Sequence, residues 1–492
     1  MSETVDGAGT LGVEIHRTEV DGVPVFWAET PEPFTACVYF RVGRVDETFA
    51  TAGITHMVEH LAMPAHDLAD FEMNAAAGTI HTSFYATGTR EEVAGFLQER
   101  CEQLAGLPLE RLEAERRILR SEEVGASESA YVELYGTRFG AARHGLVVHD
   151  QWGLRRLEAQ EVAAWTAAHF TAENAVVWMT GPPPETLSLP LPHGRRVPPP
   201  EPAPIPWLAL PGSTRWGSDG ISASFLAERS VDVRIAANVA RDRAQALLRY
   251  DLGVTYSVGL EYDPLTSDAV HVFLVADALE GHLPEARDGF LAVLDEVASA
   301  GPSPEELERE LKRTRRWLSD PLSTADFLDY TATNELVGGP VQTKEQILGE
   351  EEAVSPESAA GALARALETA LVLAPEDLEL PARFPRQPPW VEEAVPGKRY
   401  TPSGLPFRRR KETVVLGETG ISYIDEEGPG TILFEDCVGV LEYTDRTRGV
   451  VREDGRWLSV SADGWRGGDD LIHRLDALRP ARLAIPMGEP YA

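Results

Sequence analysis

The sequence is short of cysteine, of positive charge and of long apolar runs. Its 492 residues hold three cysteines, Cys37, Cys101 and Cys437, odd in number and widely separated. That pattern argues against a disulfide framework, and without Cys-x-x-Cys spacing it also argues against a thiolate metal site. The three read as small buried apolar side chains. Lysine and arginine number 45 against 79 acidic residues, a net charge of −34, which disfavours nucleic acid and anionic membrane as partners. No apolar run is long enough to span a bilayer. The opening residues, Met1-Ser-Glu-Thr-Val-Asp-Gly-Ala-Gly-Thr-Leu11, lack the basic and apolar regions of a secretory signal, so a cytoplasmic protein is expected.

What is present is the composition of a globular protein, 43% hydrophobic and 25% charged, in a chain long enough for two to four domains. Proline marks the divisions. A dense run that includes Pro198-Pro-Pro200, Pro202, Pro204 and Pro206, and a second passage over 381–406, can form neither helix nor central strand and read as stiff linkers. The expected domains are 1–195 and 213–380, joined by a linker over 196–212. A small β-rich module over 407–492 follows the second linker.

Periodicity predicts an α+β fold with two similar halves. In the first half, strands are expected over 13–26, 34–42, 79–87 and 175–180, with helices over 52–62, 65–77, 91–106, 109–144 and 152–170. The second half has strands near 220–226, 256–262 and 270–275 and helices over 231–252, 281–300, 324–336 and 356–370. A further helix starts at Pro304, where Glu305, Glu306, Glu308 and Glu310 suit the positive end of its dipole. In the last module, short strands at 413–424, 430–443, 449–452 and 457–460 precede a helix at 469–478. That layout resembles a small pleckstrin-homology-like barrel. Trp457 and Trp465 are expected to pack inside it, and Arg408-Arg-Arg-Lys411 reads as a solvated hinge.

The chemistry concentrates in Ala52-Gly-Ile-Thr-His56-Met-Val-Glu59-His60-Leu-Ala62, which contains His-x-x-Glu-His. On a helix His56 and His60 project from one face, so both imidazoles can reach a single metal ion, with Glu59 beside them. A catalytic zinc takes a third protein ligand, and a carboxylate would have to come from another helix. Glu115-Arg-Arg-Ile-Leu-Arg-Ser-Glu122-Glu123 offers one. Glu115 and Glu122 are seven residues apart, two helical turns, and share a face. Spacing alone leaves Glu122 and Glu123 as alternatives, and such charges also suit a merely solvated helix face. His66, His81, His144 and His149 read as loop or surface residues rather than ligands.

With these residues in place the chain resembles the pitrilysin/insulinase family of inverted-motif zinc peptidases, which pairs His-x-x-Glu-His with a downstream Glu-x6-Glu. The resemblance implies one zinc per chain held by His56, His60 and Glu122, Glu59 as general base and Glu115 as supporting carboxylate. Leu247-Leu-Arg249-Tyr-Asp-Leu-Gly253-Val-Thr-Tyr256 is similar to the family's substrate-gripping element and implies Arg249 and Tyr256 as donors to the substrate carbonyl. Weaker echoes are Gly43-Arg-Val-Asp-Glu47, and Phe170-Thr-Ala-Glu-Asn174 with Gly181. The implied activity is zinc-dependent hydrolysis of peptides or small unfolded polypeptides. The implied assembly is a homodimer in which each chain's arginine and tyrosine face the other's zinc. The alternative is an inactive scaffold or partner subunit on the same fold. One departure stands out. The 62 residues from His60 to Glu122 are fewer than is usual in the family, and the loss is expected around 78–91, in the edge strand to which substrate adds.

Overall fold

The computed structural model describes residues 3–6, 12–63, 70–122, 129–215, 217, 219–403 and 412–488. The first half is a seven-stranded sheet in the order β1-β2-β3-β7-β4-β6-β5. Its strands are β1 (Glu3–Asp6), β2 (Ile15–Val20), β3 (Val23–Trp27), β4 (Phe34–Phe40), β5 (Glu72–Ala77), β6 (Thr82–Gly88) and β7 (Ala175–Met179). Its helices are α1 (Ile54–Ala62), α2 (Arg90–Ala105), α3 (Leu112–Glu122), α4 (Ala130–Phe139) and α5 (Ala159–His169). The strand expected over 13–26 is a hairpin, β2 and β3, turned at Asp21 (φ 51°) and Gly22 (φ 83°). Two successive positive φ angles give the twist that a two-residue hairpin loop needs. Strand β7, Ala-Val-Val-Trp-Met, is buried throughout, as befits a strand covered on both faces.

Two expectations for this half change. Residues 72–77 were expected as helix but form β5, paired antiparallel to β6 from Glu72 opposite Thr87 to Ala77 opposite Thr82. Glu-Met-Asn-Ala-Ala-Ala favours a helix by propensity, but β6 offers an open edge, and Met73 and Ala75 pack against the core from one side. The edge strand is therefore present, ahead of Gly78, and is not the piece missing between His60 and Glu122. Residues 65–69 of that expected helix lie outside the described residues. The helix expected over 109–144 is divided into a 3₁₀ turn (Leu109–Arg111), α3, α4 and a further 3₁₀ turn (Arg143–Val148). Ser129 caps α4 by accepting from the Val132 amide at 3.3 Å. Gly140 ends it at φ 71°, where a Cβ would lie 2.5 Å from the Glu453 carbonyl oxygen.

The second half carries a five-stranded sheet in the order β10-β11-β9-β12-β8. Its strands are β8 (Gly212–Arg215), β9 (Gly220–Glu228), β10 (Val258–Pro264), β11 (Ala269–Asp277) and β12 (Leu371–Ala374). Its helices are α6 (Val231–Gln245), which runs on into a π turn (Ala246–Asp251), α7 (Leu283–Ala300), α8 (Pro304–Ser319), α9 (Thr324–Leu336), α10 (Lys344–Glu352) and α11 (Pro356–Leu367).

The halves exchange helices. Helix α4 leaves the first half and packs on the second sheet, where Leu134 joins Phe273, Leu371 and Leu373 in one cluster. Arg138 of α4 is fully buried; its Nη2 donates to the Ser224 carbonyl (2.8 Å) and hydroxyl (3.0 Å) and to the Thr369 carbonyl (3.0 Å). In return α8, α9 and α10 cover the outer face of the first sheet. Ile15, Phe26, Cys37, Tyr39, Val176 and Trp178 there meet Leu318, Phe327, Leu328, Leu336 and Ile347. Asp329 of α9 accepts from the Trp178 indole at 3.1 Å and from the Tyr39 hydroxyl. The inner face of the first sheet packs on α1, α2, α3 and α5.

The last module holds two four-stranded sheets. One contains β13 (Lys398–Tyr400), β14 (Thr413–Leu416), β15 (Gly420–Ile424) and β16 (Pro429–Leu433); the other contains β17 (Cys437–Glu442), β18 (Thr447–Arg452), β19 (Trp457–Ser461) and β20 (Ala484–Pro486). Helix α12 (Gly468–Leu478) inserts Leu471, Ile472 and Leu475 into their shared core. Trp465 is buried, but Trp457 is 53% exposed, because its position on β19 faces solvent. Residues 408–411, the expected hinge, lie outside the described residues. All three cysteines are unpaired and buried. No described helix is long and apolar enough to cross a membrane.

Candidate metal centre

Helix α1 is built to present two imidazoles. Ile54, Met57, Val58, Leu61 and Ala62 are buried on one face, spaced as an amphipathic helix requires, and His56 and His60 lie off that face. The helix starts at Gly53, whose φ of 97° admits no side chain without strain. Its first amides are satisfied by Glu47, which accepts from Gly53 N at 2.8 Å and Thr55 N at 2.9 Å and sets a carboxylate against the positive end of the dipole. The weaker sequence echoes are struts of this frame. The Arg44 guanidinium donates to the carbonyls of Leu146, Val147 and His149. Buried Asn174 donates to the carbonyls of Arg41 and His169 and accepts from Val197 N.

The expected residues of the first half converge. Glu122, the last residue of α3, places Oε2 3.8 Å from His56 Nε2 and 3.7 Å from His60 Nε2. Glu59 Oε2 is 3.4 Å from His56 Nε2. Ligands about 2 Å from a tetrahedral ion stand about 3.4 Å from one another, so a small contraction of this group would enclose one. His56, Glu59 and His60 form the described cluster suited to a metal, with ligating atoms within 4.8 Å of one another. Glu123, the alternative to Glu122, lies outside the described residues.

The other ring nitrogens are already engaged. His60 Nδ1 lies 3.2 Å from Glu115 Oε2, and Glu115 is held by Arg111 at 2.6 Å. Arg111 also donates to the Met63 carbonyl at 2.9 Å. His56 Nδ1 lies 3.1 Å from the side-chain amide of Gln151. A partner on Nδ1 that fixes its proton leaves the Nε2 lone pair for a metal. The donor set therefore fits a divalent ion of the zinc type. Sequence reasoning reached Glu115 through its spacing. It missed Arg111 and Gln151, and a residue 95 positions from its partner carries no periodic signal.

Burial tunes the charges. Desolvation first, and then the neighbouring Glu122 and Glu115, pushes Glu59 up to about 7 against the pull of His60. Desolvation, with His60 next, brings His56 down to about 4, which keeps its ring in the neutral form that a metal binds.

The second-half element stands between α6 and β10. Arg249 belongs to the π turn, with its guanidinium 5.0 Å from the Tyr256 ring and 5.6 Å from that of Tyr250. Tyr256 and Tyr250 are 70% and 72% exposed, and Leu252 and Leu279 nearby are also exposed. Asp277 anchors the Tyr256 backbone amide at 2.6 Å. Among the described residues, no hydrogen bond or ion pair joins Arg249 or Tyr256 to the histidines or to Glu59 or Glu122. The other described histidines stay outside the cluster. His144, expected as a loop or surface residue, lies in the turn that follows α4 but is only 1% exposed, packed against Phe139. His149 bonds the Gly140 carbonyl at 3.0 Å, and His66 lies outside the described residues.

No protein-family model matches the chain, and a search of curated proteins gives no match. Solved structures do match in fold. A protease from Helicobacter pylori superposes with TM-score 0.59 at 13% identity, covering 74% of this chain and all of that one. The first half of the periplasmic protease PqqL from Escherichia coli gives 0.57 at 12%, covering 73% and 91%. A peptidase M16 inactive domain from Pseudomonas fluorescens gives 0.57 at 16%, covering 74% and 100%. The chain thus has the fold of the M16 peptidases, the pitrilysin/insulinase type, in two similar halves with a small β module besides.

Proposed function

We propose that this protein is a zinc-dependent endopeptidase. One observation carries the reading: two imidazole Nε2 atoms and a carboxylate oxygen converge while both Nδ1 atoms are held by Glu115 and Gln151. His56, His60 and Glu122 would hold the ion. A zinc ion there would supply Lewis acidity toward a peptide carbonyl and lower the pKa of a water in the site to about 7.

The remaining chemistry belongs to the chain. Glu59, desolvated and tuned to about 7, accepts a proton from the attacking water and returns it to the leaving amine. Strand β5 is a sheet edge beside α1, and its free backbone groups can take an extended peptide as an added strand. Arg249 and Tyr256 donate to the oxyanion formed on the substrate carbonyl. The exposure of Tyr256 and its neighbour Tyr250 supports a homodimer in which each chain completes the other's site. A reducing compartment such as the cytoplasm suits three unpaired cysteines.

The second reading is a scaffold without activity, since one structure with this fold is described as an inactive domain. This sequence retains His56-x-x-Glu59-His60, which favours the enzyme. The test is to incubate the protein and its Glu59→Gln variant with a mixed peptide library and to follow cuts by mass spectrometry, with metal analysis of both. Wild type should hold near-stoichiometric zinc and cleave, and the variant should keep zinc while losing about 10²–10⁴ in rate. Full activity in Glu59→Gln would overturn the assignment, and absence of zinc and of cleavage in wild type would favour the scaffold.

A further inference from the structure

Gln151 reaches His56 from a turn that the last module holds in place. The turn (Trp152–Arg155) presses on the loop ahead of α1. A Cβ on Gly153 would lie 2.5 Å from Ala52 N, and one on Gly53 would lie 2.7 Å from Leu154 Cγ and 2.8 Å from Gln151 Oε1. Neither segment can move without the other. Trp152 packs edge-on against Phe49 at 5.2 Å, and Phe49 is buried in a cluster with Leu441, Val451, Ile485 and Met487 of the last module. The module approaches closely: a Cβ on Gly439 of β17 would stand 2.3 Å from Phe49 Cδ1. A continuous line of contact thus runs from β17 through Phe49, Trp152 and Gln151 to His56.

We infer that Gln151 is a positioning residue for His56 and that the last module sets its position, so that the module is a control element of the metal centre. The inference rests on the reading of that centre given above. For His56 Nε2 to face an ion, Nδ1 must carry the proton; the oxygen and the nitrogen of the Gln151 amide both stand 3.1 Å from Nδ1, and in that tautomer the oxygen accepts. A shift of Phe49 driven from the module moves Trp152 and loosens that bond. Any partner that seats on the module and displaces β17 is then read out as a change in metal affinity, with the two halves of the fold intact.

The test uses the full chain. Gln151→Leu and Gly439→Ala should each raise the zinc Kd about 10–100-fold in competition with a chromogenic chelator. Gln151→Glu keeps an acceptor and should stay near wild type. The Gln151→Leu/Gly439→Ala double variant should be no weaker than the weaker single, because both lose the same contact. In the metal-free protein, nitrogen NMR should find His56 protonated at Nδ1 in wild type and a tautomer mixture in Gly439→Ala. Wild-type zinc affinity and tautomer in either single variant, or independent losses in the double, would overturn the inference while leaving the peptidase reading in place. Should wild type bind no zinc, the peptidase reading falls and the tautomer alone decides. Thermal melts report whether each variant folds; if Gly439→Ala does not, Trp152→Leu breaks the same line from inside with the same readouts.

Discussion

A chain cut after residue 212 should not fold, although it contains every proposed metal ligand. The outer face of the first sheet presents Ile15, Phe26, Tyr39, Val176 and Trp178, all under 9% exposed, and the side chains that cover them come from α8, α9 and α10. Burying a large apolar side chain is worth about 1.5–3 kcal/mol, so five of them contribute roughly 10 kcal/mol. Even half of that approaches the 5–15 kcal/mol by which an ordinary domain is stable. The cut also strips Tyr39 and Trp178 of Asp329, their shared acceptor, and leaves α4 without the second sheet. Residues 1–212 alone should give an aggregated or poorly dispersed product by NMR and size-exclusion chromatography. Co-expression with 213–380 should recover a soluble complex. A monomeric 1–212 with a cooperative urea transition would refute the reasoning, because it would show that the exchanged helices are not needed to close the sheet.

Other outcomes follow from the same geometry. Glu115→Ala frees His60 Nδ1 and leaves Arg111 without its carboxylate, so zinc affinity should fall about 10–100-fold by chelator competition; unchanged affinity would remove Glu115 from the site. Arg249→Leu and Glu59→Gln should each be inactive alone, yet mixed dimers of the two should regain cleavage in one of their two sites. Failure of mixing to restore any activity would show that the donors act within one chain. His144, buried with Nε2 unpartnered, is brought down to about 4 by desolvation first and then by Arg143, His271 and Arg41. Only the unfolded chain then takes up this proton as pH drops below about 6.5, so the stability contribution is complete above that value. It should be lower by about 2 kcal/mol at pH 5 and about 3 kcal/mol near pH 4. Urea unfolding at pH 7.5 and 5.0, with chelator present, should show a smaller pH dependence in His144→Phe than in wild type.

Helix α1 was legible in the sequence because its signals are local: two histidines one turn apart, a glutamate beside the second, and apolar residues at helical spacing. Glu115 and Glu122 were legible for the same reason, and Arg249 and Tyr256 were reached through resemblance, whereas the π turn that carries Arg249 was not foreseen in the helix expected over 231–252. Strand β5 was not, since Glu-Met-Asn-Ala-Ala-Ala prefers a helix and only the open edge of β6 decides otherwise. The break between α3 and α4 was hidden in an unbroken helical pattern. It shows at Ser129, whose extended backbone caps the start of α4, and the end of α4 is set at Gly140, where the last module approaches too closely for a side chain. Arg111 stands one helical turn before Glu115, a local i, i+4 spacing that was there to be read; Gln151 and the exchange of α4 for α8, α9 and α10 depend instead on contacts between residues far apart in sequence, and no window of sequence contains both partners.

The exchange of helices also sets a timetable for synthesis. When Met179 completes the first sheet on the ribosome, Leu336 at the end of α9 is roughly 160 residues away, about 8–30 s at ordinary elongation rates. Through that interval the apolar outer face of the first sheet stands without its cover, the kind of surface that chaperones bind. The histidines and Glu122 would thus come together only once most of the chain has left the ribosome.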